Sequence, residues 1–185
     1  EPAKFSMVLY NGGPIRPGGW NAPHPLVLDL AGMSVIRGGS IPFNRGHVGD
    51  NALVGHGTAE VTATQIVIND GVFSFDNQYT KEIIEASKAG FKWASSMEAT
   101  IQGTPKFVPK GQTVRVNGRQ IPGPVYVAKK SELFAGAFIG SNPADRSTEV
   151  SIAAMEEHMV PQELKEWLEG RGVDVESLSE EQITA

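Results

Sequence analysis

Hydrophobic positions along this chain alternate with polar ones in short runs, and Gly or Pro separates almost every run. A two-residue period puts successive side chains on opposite faces of a strand. Lys4 to Tyr10 has that period, with Phe5, Met7 and Leu9 on one side. Leu26 to Leu30 reads as a short buried strand, and Met33 to Phe43 as another, interrupted at Gly38-Gly39 where a bulge is expected. Ala52 to Thr64 resumes as a strand. Gln65 to Ile68 and Val72 to Phe75 are expected to form a hairpin about Asn69-Asp70-Gly71, a triplet that supplies positive φ. Thr113 to Val116 and Arg119 to Ile121 flank Asn117-Gly118 in a second hairpin signal. Val125 to Ala128, Leu133 to Ile139 and Thr148 to Ala154 complete the strand-like runs.

The period changes in two places. Thr80 to Ala89 is helical, with Ile83, Ile84, Ala86 and Ser87 on one face, Asn77 or Thr80 to cap its start and Gly90 to end it. Pro161 to Glu169 is also helical: proline suits the first turn, Leu164, Trp167 and Leu168 make a stripe, and Gly170 stops it. Asp174 to Thr184 is acidic and reads as a short helix or a tail. The fold class expected is therefore mainly β with flanking helices. The expected organisation is one main β domain, residues 1–160, followed by a C-terminal helix and acidic tail, residues 161–185.

Composition narrows the function classes. The chain has 185 residues, 40% hydrophobic and 20% charged, enough for a sizeable core. Its net charge of −5 argues against general nucleic-acid binding. With no cysteine, disulfides, thiolate catalysis and cysteine-based zinc sites are excluded. His47 and His56, with Asp50 between them, match no compact ligand spacing, so neither a metal nor a cofactor is expected. No apolar run reaches membrane-spanning length, and no secretory leader is expected. The first residue is Glu, so a trimmed or processed start is expected.

Candidate chemistry centres on Phe91-Lys92-Trp93-Ala94-Ser95-Ser96-Met97-Glu98-Ala99. Alternation places Ser95 with Trp93, Met97 and Ile101, and Ser96 with Glu98 and Thr100. Ser95 should enter the core. Ser96 should open toward solvent or a cleft, where a general base and a peptide can reach it. Trp20 and His24 lie in the Gly- and Pro-rich loop from Asn11 to Pro25, with Trp20 expected to pack the loop down.

The order of these features resembles a known family. A histidine, His47, sits in a turn after a strand; a helix leads into Trp-x-x-Ser at Trp93 to Ser96. Then come Val-Asn-Gly-Arg at Val116 to Arg119, Gly-Pro-x-Tyr-Val-Ala at Gly123 to Ala128, and Pro-Ala-Asp at Pro143 to Asp145. From about Ile41 to Ala154 the chain is similar to the prohead proteases of tailed bacteriophages, which are related in fold to the herpesvirus assemblins. The resemblance implies a closed antiparallel β-barrel and a serine endopeptidase that cleaves scaffold and coat-protein segments, and itself. It implies action in the host cytoplasm, inside the immature capsid, with those segments as partners and homo-oligomerisation compatible; neither nucleic acid nor membrane is expected as a partner.

Position by position, the family's nucleophile falls on Ser96 and its histidine on His47. The family's third member is expected about where Ala135 stands, and its glycine after the nucleophile where Glu98 stands. The third role then falls to Glu132, with Glu98 the alternative, and Lys129 or Lys130 would assist an oxyanion. A non-catalytic capsid-assembly protein that keeps the fold is the competing expectation. A small β-barrel binding module unrelated to phages is the third.

Overall fold

In the computed structural model, residues 2–153 apart from 48 and 142 are described. The expected helix at Pro161 to Glu169 and the acidic segment after it lie outside the described residues. Residues Glu1–Ala154 group into one compact unit. Its elements, in order, are β1 (Lys4–Tyr10), β2 (Leu26–Leu28), β3 (Met33–Val35), β4 (Ser40–Arg45), β5 (Leu53–Val61), β6 (Ile66–Val72) and α1 (Gln78–Lys88). There follow β7 (Ala94–Ile101), β8 (Lys106–Val108), β9 (Thr113–Val116), β10 (Arg119–Pro122), β11 (Val125–Ala128), β12 (Ser131–Ile139) and β13 (Val150–Ala153).

The main sheet runs β13-β1-β6-β5-β4-β12-β3, with β7 on the other edge of β12. It curls around its core. Phe5 on β1 lies three strand steps from Phe43 and four from Phe138, which in a flat sheet would be roughly 14 and 19 Å. The ring centroids are 5.0 Å apart in both pairs. Such edge-to-face packing and the burial of Leu9, Ile41, Val54, Ile68 and Leu133 hold the curl.

The closed antiparallel barrel expected from the sequence is not what forms. No ladder joins β7 to β1 among the described residues, so the sheet stays open. The reason is local: β13 occupies the outer edge of β1 from Lys4 to Met7. Where that pairing ends, side chains bridge the seam instead. Ser95 Oγ donates to the Val8 carbonyl, and Thr148 Oγ1 donates to the Ser95 carbonyl at 2.8 Å. The pairing is also mixed, because β12 runs parallel to β3 and β4, and β11 runs parallel to β2.

Two smaller expectations also change. Asn69-Asp70-Gly71 is not a turn: β6 passes straight through it, and the β5–β6 turn lies at Thr62 to Gln65. There Thr62 N–H and Oγ1 both reach the Gln65 carbonyl, at 2.9 Å each. Gly71 is needed for room, not for positive φ, since a Cβ there would come within 2.3 Å of the Phe5 ring. Gly38-Gly39 belongs to a short 3-10 turn between β3 and β4, with Arg37, Gly38 and Gly39 all at positive φ.

The helix α1 forms as its caps dictate. Asn77 Oδ1 accepts from the Tyr79 and Thr80 amides, both at 3.0 Å, and Gly90 at φ 89° ends it. Ile83 is fully buried, and Trp93 Nε1 donates to its carbonyl at 3.3 Å. The helix is thus tied to the start of β7, the strand that carries both serines.

Candidate active site

β7 and β12 pair antiparallel along their length, and this pairing sets the site. Ser95 faces Phe138 and Ser96 faces Ala137. Ser95 is fully buried with its hydroxyl on Val8, so it has no proton acceptor other than backbone. Ser96 is 7% exposed and lines a cleft of about 1290 Å³. That cleft is bounded by the 14–18 loop, by Ser96 to Ala99, by the 143–147 turn and by His47. Ser96 and His47 therefore open into one space, although no hydrogen bond joins them among the described residues.

Of the two candidate carboxylates, Glu98 meets His47 and Glu132 does not line the cleft. His47 Nδ1 lies 3.1 Å from Glu98 Oε1, with the imidazole 47% and the carboxylate 20% exposed. Glu132 sits on β12 between Ser34 of β3 and Thr100 of β7, outside the cleft lining. The register explains the choice. Ala135, where the acid was expected, is the direct cross-strand partner of Glu98. Phe134 is the extra residue of a bulge between the Leu133 and Ala135 pairings, and it comes out at the cleft.

Several other expected or unexpected groups are placed clearly. Lys129 Nζ is held by Asp29 Oδ2 at 2.8 Å, a partner other than an oxyanion. His56 Nδ1 lies 2.9 Å from Ser74 Oγ on an exposed part of the sheet, so the two histidines serve different neighbours. Among the described residues no group of three or more His, Asp or Glu side chains could hold a metal ion. Asp145, in sequence only the last residue of the Pro-Ala-Asp motif, lines the cleft and organises its rim. Its Oδ2 accepts from the Asn11 amide at 2.9 Å, and its Oδ1 accepts from Ser147 N–H at 3.0 Å. The Pro-Ala-Asp motif was the available signal, since Asp in a turn commonly bonds nearby backbone.

Asn117, a turn residue at φ 52°, ties together the backbone at Gly12, Leu28 and Leu30. Its Oδ1 accepts from Leu30 N–H at 2.8 Å, and its Nδ2 donates to the carbonyls of Gly12 and Leu28 at 3.0 and 2.7 Å. Tyr10, whose hydroxyl donates to Gly13 at 2.6 Å and accepts from Leu28, is held firmly neutral by burial, which raises its pKa well above the usual phenol range. No protein-family model, no curated protein and no solved structure matches the chain.

Proposed function

We propose that the chain is a serine endopeptidase of the prohead-protease kind, cleaving scaffold and coat-protein segments, and itself, inside the immature phage capsid. One observation carries the reading: Glu98 holds His47 in the cleft into which Ser96 opens. A hydrogen bond from Nδ1–H to Glu98 leaves Nε2 as the basic nitrogen. Nε2 takes the Ser96 proton as Oγ bonds to the substrate carbonyl carbon. The C–N bond then breaks, and the imidazolium gives that proton to the leaving amine. Water, deprotonated by the same nitrogen, attacks the ester and releases the acid, and the proton returns to Ser96. The absence of a His47–Ser96 hydrogen bond among the described residues is compatible with this, because such bonds tighten on substrate binding.

The oxyanion requires a donor, and the Met97 amide supplies it. The Ser95 carbonyl points away from β12, since it accepts from Thr148 Oγ1. By the two-residue period, the Met97 N–H turns the same way, onto the free edge of β7. It is the amide directly after the nucleophile, a position that serves this purpose in other acyl-transfer sites. Glu98 in place of glycine then costs nothing at the oxyanion, because only the Met97 backbone is used.

The test compares Ser96→Ala with Ser95→Ala in self-processing of the full chain and in cleavage of a coat-protein peptide. Ser96→Ala abolishes both and leaves the melting temperature almost unchanged; Ser95→Ala stays active and loses stability, by about 1 kcal/mol for a buried hydroxyl. Full activity in Ser96→Ala would refute the assignment. A parent protein that cuts nothing would favour the non-catalytic assembly role.

A further inference from the structure

A second hollow, of about 250 Å³, adjoins the cleft at Ser96. Ser96, Met97 and Ala99 form its near wall and are shared with the outer cleft. Its floor is Leu9, Leu26 and Leu28, all nearly fully buried. Trp20 closes one side and is itself fixed. Its Nε1 donates to the His24 carbonyl at 2.8 Å, and its ring packs edge-on against Tyr126 at 5.5 Å. Ile15, on the same rim, is pinned to Leu26 by a pair of backbone hydrogen bonds of 2.8 and 2.9 Å. The hollow is therefore built before any ligand arrives.

Among the described residues, Asp145 is the one charged residue on its lining. Both carboxylate oxygens already accept hydrogen bonds, from Asn11 and Ser147. Oδ1 accepts twice from Ser147 and Oδ2 once from Asn11, so a lysine or arginine entering the hollow would find only one open acceptor position on Oδ2 and would lose its hydration against leucine side chains. An acidic side chain would meet like charge as well. An apolar side chain loses nothing and buries its surface.

We propose that this hollow is the specificity pocket of the protease, and that it takes the side chain of a Leu, Met or Phe residue whose carbonyl Ser96 attacks. The inference rests on the peptidase reading above and adds to it the substrate class. The hollow adjoins the nucleophile itself, so its occupant is the residue on the acyl side of the scissile bond. The extended segment on either side lies in the larger outer cleft.

The experiment has two arms on the full chain. A small fluorophosphonate probe first reports whether Ser96 is a competent nucleophile. A library of ten-residue peptides varied at every position then reports, by mass spectrometry, which residue precedes each cut. The expected result is labelling at Ser96 and cleavage after Leu, Met or Phe, at about 10- to 100-fold higher kcat/KM than after Gly or Ala. Labelling with cleavage after Lys, Arg, Glu or small residues, or with no peptide cut, overturns the pocket assignment and leaves the nucleophile standing. No labelling and no cleavage removes the peptidase reading and this inference with it. Gly18 offers a second check, because it lines the hollow, lies outside the positive-φ region, and a Cβ there meets nothing within 4 Å. Gly18→Leu should shift the preference toward Ala and Gly; an unchanged preference for Leu, Met and Phe contradicts the assignment.

Discussion

Replacing Glu98 with Ala removes the group that holds His47, and the size of the loss can be worked out. The bond is 3.1 Å long and joins a half-exposed imidazole to a carboxylate that is 20% exposed. A hydrogen bond to a charged group contributes about 1.5–3 kcal/mol. If that contribution is made only when the imidazole becomes charged, it appears in the barrier governing kcat/KM at about 1.36 kcal/mol per tenfold. Glu98→Ala should then lower kcat/KM by about 10- to 150-fold and leave Ser96 in place. The cross-strand register supplies a rescue, because Ala135 lies directly opposite Glu98, with Cβ atoms about 5 Å apart in such pairs. Ala135→Glu in the Glu98→Ala background should restore part of the activity, and Ala135→Glu alone should restore nothing because there is nothing to replace. The assay is steady-state cleavage of one peptide by the four proteins, with melting temperatures recorded alongside. If Glu98→Ala keeps its activity within twofold, Glu98 does not position the imidazole and the dyad stands without it.

Three further outcomes follow from the packing and the charges. Asn117→Ala deletes three buried hydrogen bonds and should cost about 2–4 kcal/mol, read as a fall in the denaturant midpoint. Gly71→Ala drives a methyl into the Phe5 ring and should cost about 1–3 kcal/mol in the same assay, although the residue looks like a harmless turn glycine in sequence. Asp70 accepts the Thr58 amide, and that bond lowers its pKa. Its folded pKa lies below the unfolded one, so its contribution is fully present above about pH 4 and is lost as pH falls through the folded value. Asp70→Asn should therefore flatten the acid limb of the stability curve and leave its slope near neutrality unchanged.

Much of the strand pattern was legible because one face of each strand is buried. β1, β7, β12 and the β9–β10 hairpin fall where alternation and Asn-Gly put them. Ser95 and Ser96 separate for the same reason: a period of two allows only one of them to enter the core. What could not be read was pairing over distance. Alternation says nothing about whether the outer edge of β1 meets β13 or β7, and β13 took it. It also cannot tell that β12 runs parallel to β4. Gly71 was misread because glycine signals two different needs, positive φ and absence of a Cβ, and sequence shows only the residue. The Glu98 contact was hidden by a separation of 51 residues, and a search by proximity in sequence favoured Glu132. Only the β7–β12 register shows that positions 98 and 135 are direct cross-strand partners.

Labelling by a serine-directed fluorophosphonate, mapped to the residue, tests the nucleophile most directly. One adduct at Ser96 is expected, slowed strongly in His47→Ala and absent in Ser96→Ala. An adduct at Ser95 or Ser74, or labelling at Ser96 that is indifferent to the loss of His47, would contradict it.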